Sequence, residues 1–154
     1  MIFSASTFHW ISEEIGYPKV FDMLKHGGVF ARFANHPFYN KNGQQALWAD
    51  IQKVYDKYMP YSKDSPEYTE EMAIRRSNIA PKYGYTDISY KLYYRTIIYT
   101  SDEYIKRLSI QNDKIALDNS KQLGFYNGIK AAVDSHGGII HAYDTIDLNL
   151  ARKL

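Results

Sequence analysis

The chain has 154 residues, of which 19 are basic and 17 acidic, and it contains no cysteine. A net charge of +2 provides no basic surface for nucleic-acid binding, and the lack of cysteine excludes disulfides and thiolate metal or redox chemistry. No apolar stretch is long enough to cross a membrane and no secretory signal opens the sequence. We therefore predict a cytoplasmic protein with a single domain over residues 1–154.

The first elements along the chain predict the start of a βαβ unit. Residues 1–3 have the character of the end of a buried strand, and the small-residue turn Ser4-Ala5-Ser6 follows it. A helix is predicted over residues 11–25. We expect Gly16-Tyr17-Pro18 to divide it into two pieces, and Gly27-Gly28 to end it.

A second strand and a polar loop complete this unit. Residues 29–34 are almost continuously apolar, which is typical of a strand covered on both faces in a parallel sheet. The polar and aromatic residues 35–39 are predicted to leave the strand as a loop. This loop would lie beside the turn after the first strand, at the sheet edge where open α/β sheets bind their ligands.

The middle of the chain predicts helices. Apolar residues recur at helical spacing over residues 44–58. A further helix is predicted over residues 68–79, between Pro66 and Pro81. We interpret residues 40–84 as a helical insertion, whose two helices either form a cap over a site or simply fill the core.

The last part of the chain predicts strand, helices and strand. Residues 88–99 are rich in Tyr, Ile and Thr, as strands are, and Thr100 and Glu103 have the spacing of a capping box at a helix start. A longer helix is predicted over residues 117–135. One final strand, or two short ones, over residues 139–151 closes the chain.

Alternation within the final strand predicts its place in the sheet. Ile146, Leu148 and Leu150 alternate with Asp147 and Asn149. Such alternation is typical of a strand with one face less buried, and it predicts an antiparallel strand added at the sheet edge.

None of the strong catalytic motifs is present, whether a glycine-rich dinucleotide loop, a phosphate-binding loop or a zinc-protease motif. His9 beside Trp10 offers an imidazole and a flat aromatic face, but such a pair also serves simple packing at a helix start. Arg32, Asn35 and His36 have the chemistry to bind an anion or orient a polar substrate. Asn-His-Pro is equally an ordinary turn sequence.

Two segments at this spacing resemble a known family. Ser4-Ala5-Ser6-Thr7-Phe8-His9-Trp10-Ile11 and, after a short helix, Leu24-Lys25-His26-Gly27-Gly28-Val29-Phe30-Ala31 resemble the second half of class I S-adenosylmethionine-dependent methyltransferases of the small-molecule, type 11-like kind. His26 stands where the family usually has a proline. The resemblance continues to the final strand and therefore covers the whole chain.

The resemblance implies an α/β fold. The expected sheet is a partial Rossmann-like methyltransferase sheet made of strands 4, 5, 6 and 7 of the family, with flanking helices and the helical insertion. The family's glycine-rich loop and two acidic cofactor-binding residues belong to strands that this sequence does not include. The chain is therefore interpreted as a truncated methyltransferase fold that lacks the N-terminal cofactor-binding half and is inactive alone.

The resemblance also implies the site residues. S-adenosylmethionine is the expected cofactor, and the acceptor is expected to be a small molecule. Two sets of side chains would form the site: Ser4, Ala5, His9 and Trp10 beside the cofactor, and Arg32, Asn35, His36 and Tyr39 facing the substrate.

Three hypotheses stay open. The chain is a methyltransferase-family protein that binds its cofactor incompletely, or a non-catalytic oligomerising or interaction module derived from one, or an unrelated small α/β binding protein. The edge of the first strand predicts a homodimer or higher oligomer, because an unpaired strand edge favours pairing with another chain. Neither nucleic acid nor a membrane is an expected partner.

Overall fold

The computed structural model describes residues 1–41, 43–62, 65–111 and 118–154. Its sheet has four strands in the order β1-β2-β4-β3, with helices flanking them, so the predicted α/β class is confirmed. The strands are β1 (Ile2–Ala5), β2 (Val29–Phe38), β3 (Thr86–Thr100) and β4 (Ile139–Arg152). The helices are α1 (Glu13–Met23), α2 (Gln45–Tyr58), α3 (Glu70–Ser77), α4 (Ser101–Ser109) and α5 (Asn119–Ser135).

The first two strands pair in parallel, as expected for a βαβ unit. The register runs from Ile2 opposite Phe30 to Ala5 opposite Phe33. Strand β4 runs against β2, because Lys153 exchanges backbone hydrogen bonds with the residues just before β2 while His36, near the other end of β2, meets Asp147. The predicted antiparallel direction of the last strand is therefore observed.

The prediction that the first helix divides at Gly16-Tyr17-Pro18 is wrong. Helix α1 is continuous from Glu13 to Met23 and contains Pro18. Proline at the sixth helical position removes one hydrogen bond, the one that Glu14 would accept. Burial of Tyr17 in the core favours the continuous helix.

The prediction of a loop over residues 35–39 is also wrong for most of these residues. Strand β2 continues to Phe38, so Asn35 and His36 lie on the strand. The Phe33 carbonyl accepts a hydrogen bond from the backbone N–H of Ser6, just after β1, so it points toward β1. Backbone groups alternate in direction along a strand, so the Pro37 nitrogen also points to the β1 side of β2, but it lies beyond the end of the four-residue β1. Proline is tolerated there because it faces no strand that needs its missing N–H.

The expected place of the last strand at a sheet edge is wrong as well. Strand β4 lies between β2 and β3. Its polar face is the more buried one, since Asp147 is 0% and Asn149 8% exposed, whereas Ile146, Leu148 and Leu150 are partly exposed.

The chain divides into two compact units. The first comprises Met1–Pro37, Glu67–Arg95 and Asp144–Leu154. Its core is largely aromatic, with rings packed edge to face and tilted against each other. The buried residues of this core are Phe8, Tyr17, Leu24, Phe30, Ala80, Tyr85 and Ala151.

The second unit comprises Phe38–Pro66 and Thr96–Tyr143. Helix α2 packs on α5, and the predicted capping box of Thr100 and Glu103 opens α4. The start of the predicted helix at residue 117 lies outside the described residues. The core is buried between these helices and consists of Leu47, Trp48, Ile51, Tyr55, Tyr104, Leu108, Phe125, Ile129, Ala132, Val133 and Ile140.

Two further predictions concern the organisation of the chain. The segment 40–84, predicted as an insertion, is shared between the units, with residues 40–66 in the second and 67–84 in the first. The single domain over 1–154 stays a prediction. In the described part of the chain, every helix is too short or too polar to cross a membrane.

Candidate functional site

Residues 4–10, which we call the strand-end segment, comprise the end of β1 and the turn that follows it. Ser6 adopts a left-handed backbone conformation, with φ of 51°, and its hydroxyl lies 3.3 Å from Asn35 Oδ1. A turn of 3-10 helix, Phe8–Trp10, then buries Phe8 and leaves His9 and Trp10 outside. The rings of His9 and Trp10 lie 4.9 Å apart, and Trp10 is 80% exposed.

The four predicted cofactor residues lie along an exposed segment and do not enclose a ligand. The Ser4 hydroxyl is within 3.0 Å of the Thr7 hydroxyl, and Ala5, His9 and Trp10 are exposed. Ser4 and Ala5 point to opposite faces of β1, because side chains alternate along a strand, and a purine ring can stack on the exposed indole face of Trp10. These residues fit a partial cofactor site, and we derive no reaction step from them.

A second group of polar side chains lies on one face of the sheet in the first unit. Because side chains alternate along a strand, Arg32 and His36 share a face of β2, as Asp147 and Asn149 share a face of β4. Helix α3 brings Arg76 to this face, and Tyr68 comes from the residues just before α3. We call His36, Tyr68, Arg76, Asp147 and Asn149 the Asp147 cluster.

Asp147 is the centre of this cluster. Its carboxylate lies 2.7 Å from His36 Nε2, and the Arg76 guanidinium donates to both of its oxygens at 3.1 Å. Asn149 Nδ2 donates to the same carboxylate at 2.8 Å, and the Tyr68 hydroxyl lies at the longer distance of 3.4 Å. A buried charge needs such partners, because no water replaces its lost hydration.

Burial and the neighbouring charges act in opposite directions on the titrating groups. Burial raises the pKa of the Asp147 carboxyl, but the hydrogen bond from His36 and the charge of Arg76 outweigh it and hold this pKa below its ordinary value. Burial raises the pKa of Tyr68 to about 12, so its hydroxyl keeps its proton and acts as a donor. The cluster therefore holds an ionised carboxylate at neutral pH.

The rings of His36 and Tyr68 fix the geometry of the cluster. They are stacked with centroids 3.8 Å apart and an angle of 6° between their planes. The Arg76 guanidinium lies over the ring of Tyr68, 5.3 Å from its centroid. Stacking and the bond to Asp147 together leave the imidazole little freedom to turn.

This arrangement gives His36 a defined chemistry. An ionised carboxylate only accepts hydrogen bonds, so Nε2 of His36 carries the hydrogen of the bond to Asp147, and Nδ1 is the ring nitrogen left for another partner. With 23% of its side chain exposed, His36 is accessible from solvent. A histidine oriented in this way by a buried carboxylate is suited to accept a proton from a reacting group.

A small cavity with room for about one water molecule lies beside the cluster in the same unit. Its polar lining consists of Arg32, Arg76, Ser77 and Asn149, and Tyr17 and Phe30 are among its other walls. Arg32 donates to the Tyr17 hydroxyl at 2.9 Å, and its guanidinium lies 5.1 Å from the centroid of the Phe8 ring.

The four predicted substrate residues fall into different places. Arg32 and His36 share the face described above, whereas Asn35 points to the opposite face of β2 and accepts from Ser6. Tyr39 belongs to the second unit, where its ring stacks on Trp48 at 5.1 Å. The cofactor and substrate roles of all eight residues stay predictions.

Sequence reasoning missed four members of the cluster: Tyr68, Arg76, Asp147 and Asn149. One signal was present, since Asp147 and Asn149 alternate with Ile146, Leu148 and Leu150 in the last strand. Tyr68 and Arg76 gave none, because they lie 79 and 71 residues from Asp147 along the chain.

Comparisons with known proteins identify the fold. The sequence matches no family model and no curated protein. The structure is similar to a candidate type II methyltransferase from Anaeromyxobacter dehalogenans, with 11% identity and a TM-score of 0.52, over 97% of this chain and 63% of that one. The chain therefore has the α/β fold of S-adenosylmethionine-dependent methyltransferases, as the resemblance predicts.

Two further solved structures are similar with lower scores. One is a candidate methyltransferase from Bacillus halodurans, at 11% identity and a TM-score of 0.44, over 98% of this chain and 68% of that one. The other is Haemonchus contortus phosphoethanolamine N-methyltransferase 2 with phosphomonomethylethanolamine and S-adenosylhomocysteine, at 16% identity and a TM-score of 0.37. That match covers 98% of this chain and 32% of that one, so the chain spans between about a third and about two thirds of these neighbours' length.

Proposed function

We propose that this chain takes part in S-adenosylmethionine-dependent methyl transfer to a small molecule. The observation that carries the proposal is the match of its fold, over 97% of the chain, to a candidate methyltransferase. The strand-end segment supports it, because an exposed His9–Trp10 pair follows directly on a parallel strand, where open α/β sheets place their ligands.

The residues divide into two roles in this proposal. Ser4, Ala5, His9 and Trp10 contact one side of S-adenosylmethionine, which supplies the methyl group. His36 accepts the proton that a hydroxyl or amine acceptor loses, and Asp147 is the positioning residue that orients its ring.

Titration of S-adenosylhomocysteine into the purified chain by calorimetry tests the proposal. Because the strand-end segment is exposed and does not enclose a ligand, we expect a Kd of about 1 mM or weaker, near −4 kcal/mol. Trp10→Ala should abolish this binding. Tyr94→Ala is the matched control, since Tyr94 is 72% exposed on β3 and should leave the binding unchanged.

Two outcomes of this titration would change the proposal. Binding that Trp10→Ala and Tyr94→Ala affect equally would remove the strand-end segment from the cofactor site. Micromolar binding would show that this chain holds the cofactor by itself, and it would replace the interpretation as an incomplete site with that of an enzyme active alone.

A second candidate function is a non-catalytic module that forms oligomers. The supporting observation is a group of exposed apolar side chains on and next to β1, where Met1 is 84%, Phe3 65% and Trp10 80% exposed. We propose a homodimer that pairs through this edge. Light scattering should show a dimer that Phe3→Lys dissociates, and a stable monomer at every concentration would contradict it.

A further inference from the structure

We propose that the small cavity beside the Asp147 cluster binds one ordered water molecule, which donates to Asn149 Oδ1 and Ser77 Oγ and accepts from a guanidinium group. The polar groups around this site come from β2, α3 and β4 of the first unit, so the water joins all three elements. The inference goes beyond the proposed function and does not rest on it, because neither a cofactor nor a methyl acceptor takes part.

The first observation is a buried acceptor without a donor. Asn149 is 8% exposed, and its Nδ2 donates to Asp147 Oδ2 at 2.8 Å. The ionised Asp147 only accepts, so the amide cannot be turned the other way. Oδ1 of Asn149 is consequently fixed, buried and without a hydrogen-bond partner among the described residues. Buried polar atoms of this kind are normally satisfied by protein or by ordered water.

The second observation is the set of other polar groups that line the same cavity. Ser77 Oγ donates its single hydrogen to the Ile74 carbonyl at 2.9 Å, so its lone pairs are left to accept. Within the described part of the chain, Arg32 and Arg76 each bond a protein partner through Nη1 alone, so both have further N–H groups to donate. Together with Asn149 Oδ1, these groups provide the two to four bonds that a buried water makes.

The size and charge of the cavity favour water over an ion. With room for about one water molecule, the cavity excludes carboxylates, phosphates and larger molecules. The positive charges of Arg32 and Arg76 repel a small cation. A chloride ion has no hydrogen to donate, so it would leave Asn149 Oδ1 without a donor.

The water would complete the hydrogen bonding of the group that orients His36. Asn149 binds the Asp147 carboxylate through Nδ2, and the water would hold the other end of the same amide. Because Ser77 belongs to α3 and Asn149 to β4, the water also attaches that helix to the sheet beside the cluster.

A crystal structure of the unchanged chain, at a resolution that shows ordered waters, tests the proposal. We expect one peak of density in the cavity, about 2.7–3.2 Å from Asn149 Oδ1. In solution, the side-chain amide protons of Asn149 should show nuclear Overhauser effects to a long-lived water. Neither signal should depend on the chloride concentration.

Ala80→Val and Ser77→Ala form a pair of variants that separates the room for the water from its polar partners. Ala80 lines the cavity and is 4% exposed, so the two added methyl groups take the place of the water while every polar partner remains. Ser77→Ala removes one acceptor and leaves the room. We expect the water signals to be lost in Ala80→Val and kept in Ser77→Ala, where Asn149 and the arginines still bind the water.

The proposal is overturned if the unchanged chain shows neither density in the cavity nor a water contact at the Asn149 amide. It is also overturned if the water persists in Ala80→Val, or if the density follows the chloride concentration. The measurements on the unchanged chain decide the matter even where a variant fails to fold. None of them contains the cofactor, so failure to bind S-adenosylhomocysteine bears on the proposed function alone.

Discussion

The strand-end segment and the Asp147 cluster belong to the same unit and are held in place in opposite ways. Trp10 is 80% exposed and has His9 as its ring neighbour, whereas Asp147 is 0% exposed and bonded by four side chains. Removing an exposed side chain changes the free energy of unfolding little. A buried charge leaves several partners unsatisfied, so the two regions should respond very differently to mutation.

The largest expected effect is that of Asp147→Ala. The variant leaves the half-buried Arg76 and the amide of Asn149 without their acceptor. We expect a loss of about 3–5 kcal/mol in the free energy of unfolding, measured by urea denaturation followed by circular dichroism.

Asp144→Ala is the matched control on the same strand. Asp144 is also buried, but its partner Arg95 is 54% exposed and can turn to water, and among the described residues Oδ1 of Asp144 has no hydrogen-bond partner. We expect a loss of about 1 kcal/mol. Equal losses for the two variants would show that the four partners of Asp147 add nothing to its stabilising role.

Arg76→Met should have the next largest effect. The variant keeps much of the apolar stem over Tyr68 and removes one of the groups that, after the hydrogen bond from His36, lower the pKa of Asp147. We expect a loss of about 2 kcal/mol, as for a hydrogen bond to a charged group. Arg75→Met removes an exposed ion pair on the same helix and should cost about 0.5 kcal/mol or less, and a loss as large as that of Arg76→Met would contradict the prediction.

Lowering the pH should reduce the contribution of the Asp147 cluster to the free energy of unfolding. The pKa of Asp147 lies below its ordinary value of 3.8, because the bond from His36 and the charge of Arg76 outweigh the effect of burial. A carboxyl with a lowered pKa in the folded state stabilises fully above pH 3.8, and this contribution is lost as the pH falls through the folded pKa. Asp147→Asn should therefore lose less stability than the unchanged chain as the pH falls below 3.8.

Exposed carboxylates titrate in the same range and must be separated from this effect. Hydrogen bonds lower the pKa of Asp50 and Glu103, and that of Asp118 to about 2. These groups are present in both proteins, so the difference between the two urea midpoints isolates Asp147. Parallel pH profiles would show that the carboxylate makes no pH-dependent contribution.

The sequence predicted those elements whose signals are local. Helix α2 follows from a long apolar stripe, and the start of α4 follows from the spacing of Thr100 and Glu103. The parallel pair β1 and β2 follows from a strand, a helix and a glycine pair in succession.

The features that the sequence did not predict depend on contacts between residues that lie far apart along the chain. The alternation of residues in β4 showed that the strand has a polar and an apolar face. It did not show that the polar face is the buried one, because that depends on His36 and Arg76, which lie 111 and 71 residues from Asp147 along the chain. Turn propensity at Asn35-His36-Pro37 was overridden because β2 continues in the sheet and Pro37 faces no strand there.

The smallest expected effect on stability is that of Trp10→Ala, and it tests the surface character of the strand-end segment. We expect a change within about 0.5 kcal/mol, because an exposed side chain away from special contacts contributes little. Phe8→Ala, two residues earlier in the same turn, should cost about 3–5 kcal/mol, since Phe8 is 5% exposed and packs on Tyr17 and Phe30. If Trp10→Ala costs as much as Phe8→Ala, the turn is held by both rings and Trp10 is a core residue. If it costs nothing, any loss of S-adenosylhomocysteine binding in that variant is a direct effect on the ligand, because the fold that presents the segment is unchanged.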